Sequence, residues 1–230
     1  MSETIVGLDI GTSTVRAVIG VFTENNELQI TGVGKAPSNG LRNGAIVNIE
    51  AAVKSISAAI ESAEMMAGHD VLSVYTAIGG AQVSSTNSKG IVGVAGNGKG
   101  SQEITQRDID RVLEAAKAVP IDMARQIIHV IPQTYTIDNQ KGIKKPLNMI
   151  GVRLEAEVHI VTAAVTSVQN LVRCIDRAGF GVEDIRLKTL AAAESITTEE
   201  ERELGSIIID LGGGSTDALV LVEGAPVCSV

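Results

Sequence analysis

Apolar positions along the chain change their period several times, and each period predicts a different element. Runs at 4–10 and 15–22 flank a glycine turn, and the polar turn Thr23 to Glu27 joins the second run to a third from Leu28 to Ala36. Three strands are therefore predicted to open the chain. From Asn48 to Ala67 the period becomes helical: Ile49, Ala52, Val53, Ile56, Ala59, Ile60 and Ala63 share one face, with Asn48 as N-cap and Gly68 as stop. Val71 to Gly80 then reads as a buried strand.

Between about Gln82 and His159 the texture differs. Short polar strands, a glycine-rich turn from Val94 to Gly100, and a helix begun by Thr105 with Asp108 three residues on lead to a strand from Arg125 to Asp138 and a basic loop, Asn139 to Pro146. An inserted α+β module is predicted there. The earlier pattern then resumes with a strand from His159 to Val165, a helix from Thr166 to Ala178 stopped by Gly179, a strand from Val182 to Leu190, a helical turn from Ala191 to Ser195 and a hairpin from Ser206 to Gly224. Strands alternating with helices favour an α/β fold, a mixed sheet covered by helices.

Composition supports that class. The chain has 230 residues, 44% of them hydrophobic but only 2% aromatic, which suits branched strands and Ala-rich helices. A formal charge of -8, with no Lys/Arg cluster interleaved with aromatics, argues against nucleic acid as a partner. Cys174 and Cys228 lack metal-ligand spacing and read as reduced apolar residues. No stretch reaches the about 18 apolar residues of a spanning helix, and no signal sequence is seen, so a soluble chain is expected.

The chemistry lies in two glycine turns that match. Asp9, Gly11, Thr12 and Ser13 align with Asp210, Gly212, Gly213 and Gly214, each set following a branched strand. A glycine turn at a hairpin tip lets backbone N–H groups converge on one point, because no Cβ blocks the approach, and convergent donors suit phosphate oxygens. The hydroxyls of Thr12, Ser13, Ser215 and Thr216 add donors. A carboxylate at the strand end would repel phosphate, but it suits Mg2+ or its water shell, since Mg2+ joins carboxylates to substrate phosphates. Asp9 and Asp210 are therefore expected on the metal side, with two turns clasping a polyphosphate. Asp217 has two readings, orienting a turn donor or capping its own hairpin.

Other glycine-rich stretches fall short of a motif. In Gly96 to Gly100, Lys99 is followed by Gly rather than by Ser or Thr, so a turn is expected and not a phosphate loop; Gly90 to Gly96 is poorly placed for a dinucleotide fingerprint.

The two hairpins resemble the phosphate-binding motifs of the actin, sugar-kinase and heat-shock-chaperone superfamily. The runs "GKAPSNGLRNGAIVNIEAAVKSI", "HVIPQTYTIDNQKGIKKPLNMIGVRLEAEVHIVTA" and "EERELGSIIIDLGGGSTD" resemble the FtsA family of bacterial cell-division proteins, over nearly the whole chain. The resemblance implies an actin-like, ribonuclease H-like first lobe at 1–81 and 160–203, an inserted small domain at 82–159, and the start of a second lobe at 204–230. It implies ATP and Mg2+ as cofactors, bound by Asp9, Gly11, Thr12, Ser13, Thr14 and Arg16 in the first motif and by Asp210, Gly212, Gly213, Gly214, Ser215 and Thr216 in the second. Asp210, in the metal and water shell, is the candidate catalytic residue. The implied function is an ATP-binding protein that polymerises on the cytoplasmic face of the cell membrane at the division site and anchors the tubulin-like FtsZ. Implied partners are the FtsZ C-terminal tail, other copies in filaments, later division proteins through the inserted domain, and the inner membrane through a C-terminal helix absent from this chain. The FtsZ site is likewise expected beyond the chain, which reads as an N-terminal fragment.

Two departures bear on chemistry. Many members of the family carry Lys where Thr14 stands, and here the nearest cation in sequence is Arg16. Lys188 and Thr189 occupy the place where related ATPases have a water-positioning Gln or Glu, with Glu194 a turn later, so at most a slow ATPase is expected, a nucleotide switch. A small-molecule kinase of the same superfold is the alternative. Elsewhere, Lys141, Lys144 and Lys145 read as a solvated face, His69, His129 and His159 as packed or surface histidines, and Met65 and Met66 as core; Gln133 is given no base role.

Overall fold

The computed structural model describes residues 4–95 and 102–230. The turn expected at Gly96 to Gly100 lies outside the described residues, except for its flanks.

The opening hairpin forms where the sequence alternates. Val6, Leu8 and Ile10 of β1 (Thr4–Ile10) and Val15, Ala17 and Ile19 of β2 (Thr14–Phe22) are buried, and the strands pair antiparallel with Asp9 opposite Arg16 and Ile10 opposite Val15. A turn with Asn26 at φ 62° leads into β3 (Leu28–Pro37). Two short strands, β4 (Leu41–Arg42) and β5 (Ala45–Ile46), precede α1 (Ile49–Ala67). Asn48 Oδ1 accepts the Ala51 N–H at 3.1 Å, and Gly68 closes the helix at φ 78°, a left-handed conformation that glycine adopts without a Cβ penalty. Then follow β6 (Ser73–Ile78), β7 (Val83–Gly93), β8 (Gln102–Glu103), α2 (Gln106–Ala116), β9 (Arg125–Ile137), β10 (Gln140–Ile143), β11 (Ile150–Gly151) and β12 (Arg153–Ala164). The chain ends with α3 (Val165–Arg177), β13 (Gly181–Leu187), α4 (Lys188–Ile196), α5 (Glu199–Leu204), β14 (Ser206–Leu211), β15 (Thr216–Val222) and β16 (Ala225–Ser229).

By its contacts the chain divides into two compact units. The first comprises Met1–Val83, Ala163–Ala193 and Ile209–Asp217. Its five-stranded sheet runs β13-β6-β1-β2-β3, parallel through β13, β6 and β1 and antiparallel beyond. Helix α1 lies on β2 and β3 and against α3, with Ala52, Ile56, Ala59, Ile60 and Ala63 buried on one stripe. The approach to β3 is close enough to require glycine. A Cβ on Gly34 would overlap the Ala59 carbonyl oxygen.

The second unit comprises Ser84–Thr162, Glu194–Ile208 and Ala218–Val230. Its sheet runs β10-β9-β12-β7, and its core gathers Ile109 and Val112 of α2 with Tyr135, Ile137, Leu154, Val158 and Ile160. Burial alone would raise the Asp108 carboxyl's pKa, but hydrogen bonds from the Thr105 hydroxyl, the Ala95 and Thr105 N–H groups, and the Arg111 charge hold it below its ordinary value. Strand β16 packs on β9, with Gln133 Nε2 donating to the Pro226 carbonyl at 2.8 Å. His159, buried, places Nδ1 at 2.7 Å from Asn87 Oδ1 and Nε2 at 2.9 Å from Ser229 Oγ, and burial lowers its pKa. Of the two readings left open for it, packed or surface, the packed one is observed. Lys144 of the basic loop donates to the Glu223 carbonyl.

Several expectations need correction. Lys188, Thr189 and Leu190, predicted as strand, open α4, because Thr189 and Ala193 are the buried pair and stand four apart. Part of the basic loop forms β10, and α5 lies in a polar stretch with no apolar period to announce it. Met65 and Met66 are 81% and 64% exposed, on the solvent side of α1 rather than in the core.

Candidate functional site

The two glycine turns have the same local construction. In the first, the Gly11 N–H donates to the Thr14 carbonyl at 3.1 Å; in the second, the Gly212 N–H donates to the Ser215 carbonyl at 2.9 Å. A Cβ would sit 2.9 Å from that carbonyl at Gly11, closer than real side chains come, and 3.0 Å at Gly212, where the carbonyl would have to give by a few tenths of an ångström, so both turns close most readily over a glycine. The repeat legible in the sequence is thus a repeat of backbone geometry.

Within the first unit the turns also touch. A Cβ on Gly214 would come within 2.6 Å of Thr12 Oγ1 and 2.8 Å of Thr12 Cγ2, and one on Gly213 would overlap Ser13 Oγ. Together they line one cavity of about 280 Å3. Asp9, Gly11, Thr12, Ser13, Thr14 and Arg16 face it from the first turn, and Asp210, Gly212, Gly213, Gly214 and Ser215 from the second. Thr216 is the exception: it opens β15, exposed, and is not part of the lining.

Charge is concentrated on Asp9. Arg16 Nη1 stands 3.4 Å from Oδ2 and Lys188 Nζ 3.1 Å from Oδ1. Yet Oδ1 is buried and has no hydrogen-bond partner, so it is charge-compensated but not bonded. Asp210 lines the same cavity and has no ion pair among the described residues. An Asp9 oxygen without a hydrogen bond and an Asp210 carboxylate without an ion pair among the described residues, beside backbone and hydroxyl donors, suit a ligand with anionic oxygens that arrives with a divalent cation.

Several supports were hidden in the sequence. Asp217 is 5% exposed; its Oδ1 accepts the Gly80 N–H and its Oδ2 accepts the Ser215 hydroxyl at 3.1 Å. Of its two readings, orienting a turn donor is the observed one, and it ties the turn to the loop after β6 as well. The Gly44 N–H donates to Thr12 Oγ1 at 2.9 Å, while Gln82 Nε2 donates to the Gly44 carbonyl at 2.7 Å. Gly44 and Gly80, at φ 74° and 80°, both lie in the left-handed region. The signal for the second was the pair Gly79-Gly80 directly after a buried strand. Lys188 enters the cavity from the start of α4, a placement that its misreading as strand obscured.

Comparison with known proteins adds to this picture. A family profile described as the SHS2 domain inserted in FTSA matches residues 80–162. The chain is 46% identical over 222 residues to the cell division protein FtsA of Borreliella burgdorferi, covering 96% of this chain and 53% of the relative. It is 48% identical over 221 residues to that of Pseudomonas aeruginosa, covering 96% and 52%. The chain spans about half the length of the curated relatives it matches. Among solved structures it is similar to a PilM-PilN type IV pilus biogenesis complex, at a TM-score of 0.69 and 17% identity over 98% of this chain and 60% of that one. The ethanolamine utilization protein EutJ from Carboxydothermus hydrogenoformans follows at 0.51 and 12%, covering 99% and 51%.

Proposed function

Because the chain belongs to the FtsA family over the stretch it shares with these relatives and has the actin-like fold, we propose that it is a nucleotide switch of the division machinery that binds ATP with Mg2+ at the paired turns. The observation that carries this reading is the duplicated turn, two glycine tips with the same internal hydrogen bond lining one cavity with Asp9 and Asp210.

The cavity, about 280 Å3, lies just under the roughly 300–1,000 Å3 of whole-ligand pockets, which suits the phosphates and their ion rather than an entire nucleotide. The backbone of Thr12, Ser13, Gly213 and Gly214 offers N–H groups, those of Gly11 and Gly212 being held by the turns' own carbonyls, and Thr12 and Ser13 offer hydroxyls, with that of Ser215 donated to Asp217. Asp9 and Asp210 would hold Mg2+, and the buried Oδ1 of Asp9, which has no hydrogen bond, is an acceptor for it or its water. Bound Mg2+ neutralises charge on the phosphates. Of the two residues considered for the lysine's place, Arg16 brings a cation to the cavity and Thr14, which is neutral, contributes its carbonyl to the turn. Hydrolysis is slow: the start of α4 presents Lys188 and the buried Thr189, and Glu194 is exposed, 3.8 Å from Arg202. Asp210, which lines the cavity, would serve in the ion's water shell.

In the whole protein, the switch polymerises at the cytoplasmic face of the membrane, anchors FtsZ by its C-terminal tail, and recruits later division proteins through the inserted domain at 82–159.

Asp210→Ala tests the site: it should weaken Mg-ATP more than metal-free ATP in calorimetric titrations, and equal losses would remove Asp210 from the ion's shell. Adding sugars or polyols separates switch from kinase, since strong acceptor-dependent ADP release would sink the switch.

A further inference from the structure

Asp9 has more positive charge around it than its single negative charge requires. Arg16 lies by one oxygen and Lys188 by the other, yet the oxygen facing Lys188 is buried and makes no hydrogen bond. Lys188 itself is neither buried nor loose, with its side chain 25% exposed and its backbone fixed as the first residue of α4. Its ammonium shares the cavity with both glycine turns.

A divalent ion drawn to Asp9 Oδ1 would come within a few ångströms of that ammonium, and like charges that close repel even in bulk water, the more so when one of them is double. The ammonium sits on a flexible four-carbon stem, so it can leave Oδ1 without moving the helix, and the anionic oxygens that accompany the ion are the nearest new partners. We propose that Lys188 is a phosphate-binding residue that holds Asp9 in the empty site and transfers to the polyphosphate when Asp9 takes the ion. It thereby supplies, from α4, a cation that the first turn lacks at Thr14. This assignment rests on the reading of the cavity as a Mg-polyphosphate site.

The test uses inorganic triphosphate and Mn2+ as probes on the 230-residue chain. Mg-triphosphate is followed by calorimetry, and Mn2+ alone by the electron paramagnetic resonance of the free ion. Lys188→Met should weaken Mg-triphosphate roughly 10- to 100-fold, the loss of one charge-assisted hydrogen bond. The same variant should bind Mn2+ alone about fivefold more tightly, because the cation facing Asp9 Oδ1 is gone and only Arg16, on Oδ2, remains. Lys188→Arg, which keeps the charge, should retain triphosphate. Opposite signs for the two probes are what a structural lesion cannot produce; losses of both would overturn the proposal. So would unchanged triphosphate affinity in Lys188→Met while the unsubstituted chain binds, an outcome that leaves the polyphosphate site standing. Failure of the unsubstituted chain to bind Mg-triphosphate at millimolar concentration would remove both.

Discussion

Replacing Asp217 by Ala removes a carboxylate that is 5% exposed and accepts from two donors, the Gly80 N–H and the Ser215 hydroxyl. A hydrogen bond to a charged group contributes about 1.5–3 kcal/mol, and a buried donor left without a partner costs about 1–3 kcal/mol. The two bonds are not independent, and the Ser215 hydroxyl can turn to another acceptor, so a loss of about 3–4 kcal/mol is expected. Asp217→Asn should cost less, about 1–2 kcal/mol: its carbonyl oxygen still serves Gly80, and the Ser215 hydroxyl can rotate to accept from the carboxamide. Urea unfolding reads the difference as a lower midpoint at unchanged slope. Both variants also release Ser215 from its fixed direction, so each should bind Mg-triphosphate more weakly than the unsubstituted chain. An Asp217→Ala chain within about 0.5 kcal/mol of the parent, the range of an ordinary surface change, would refute the claim that this carboxylate joins the turn to the loop after β6.

Three further outcomes follow from other contacts. Gly34→Ala places a methyl against the Ala59 carbonyl and should destabilise by about 1–3 kcal/mol through overpacking of α1 on β3, seen as a lower Tm. Gly214→Ala brings a Cβ to 2.6 Å from Thr12 Oγ1, so it should separate the turns and cut Mg-triphosphate affinity by about tenfold or more while the helical circular dichroism persists. His159 has its pKa lowered by burial, so below about pH 6.5 the unfolded chain takes up a proton that the folded one refuses. Stability should therefore be full above that pH and fall as the pH drops below it, and His159→Gln should flatten the profile between pH 8 and 5.

How much was legible follows from how far apart the interacting groups lie in the chain. The opening hairpin, the α1 caps at Asn48 and Gly68, and the Thr105–Asp108 cap were readable because each is written within a few residues. Both turns were readable because glycine best accommodates the carbonyl three residues on. The exposure of Met65 and Met66 was not: composition makes them core, and only the orientation of α1 on the sheet turns them outward. Lys188 was misplaced for a related reason, since the alternation of Ile185, Arg186, Leu187 and Lys188 carries the strand reading past Leu187 until Ala193 is seen to be buried on the same face as Thr189.

The sequence by itself determined the turns and the candidate ligands on them, because glycine sterics, strand alternation and caps are local constraints. Tertiary structure decided which of those pieces meet. Asp217 finds Gly80 across 137 residues of chain, Thr12 finds Gly44, and Lys188 finds Asp9. None of these pairings leaves a period or a spacing in the sequence, because each is set by how the strands order in the sheet and where α4 begins beside it.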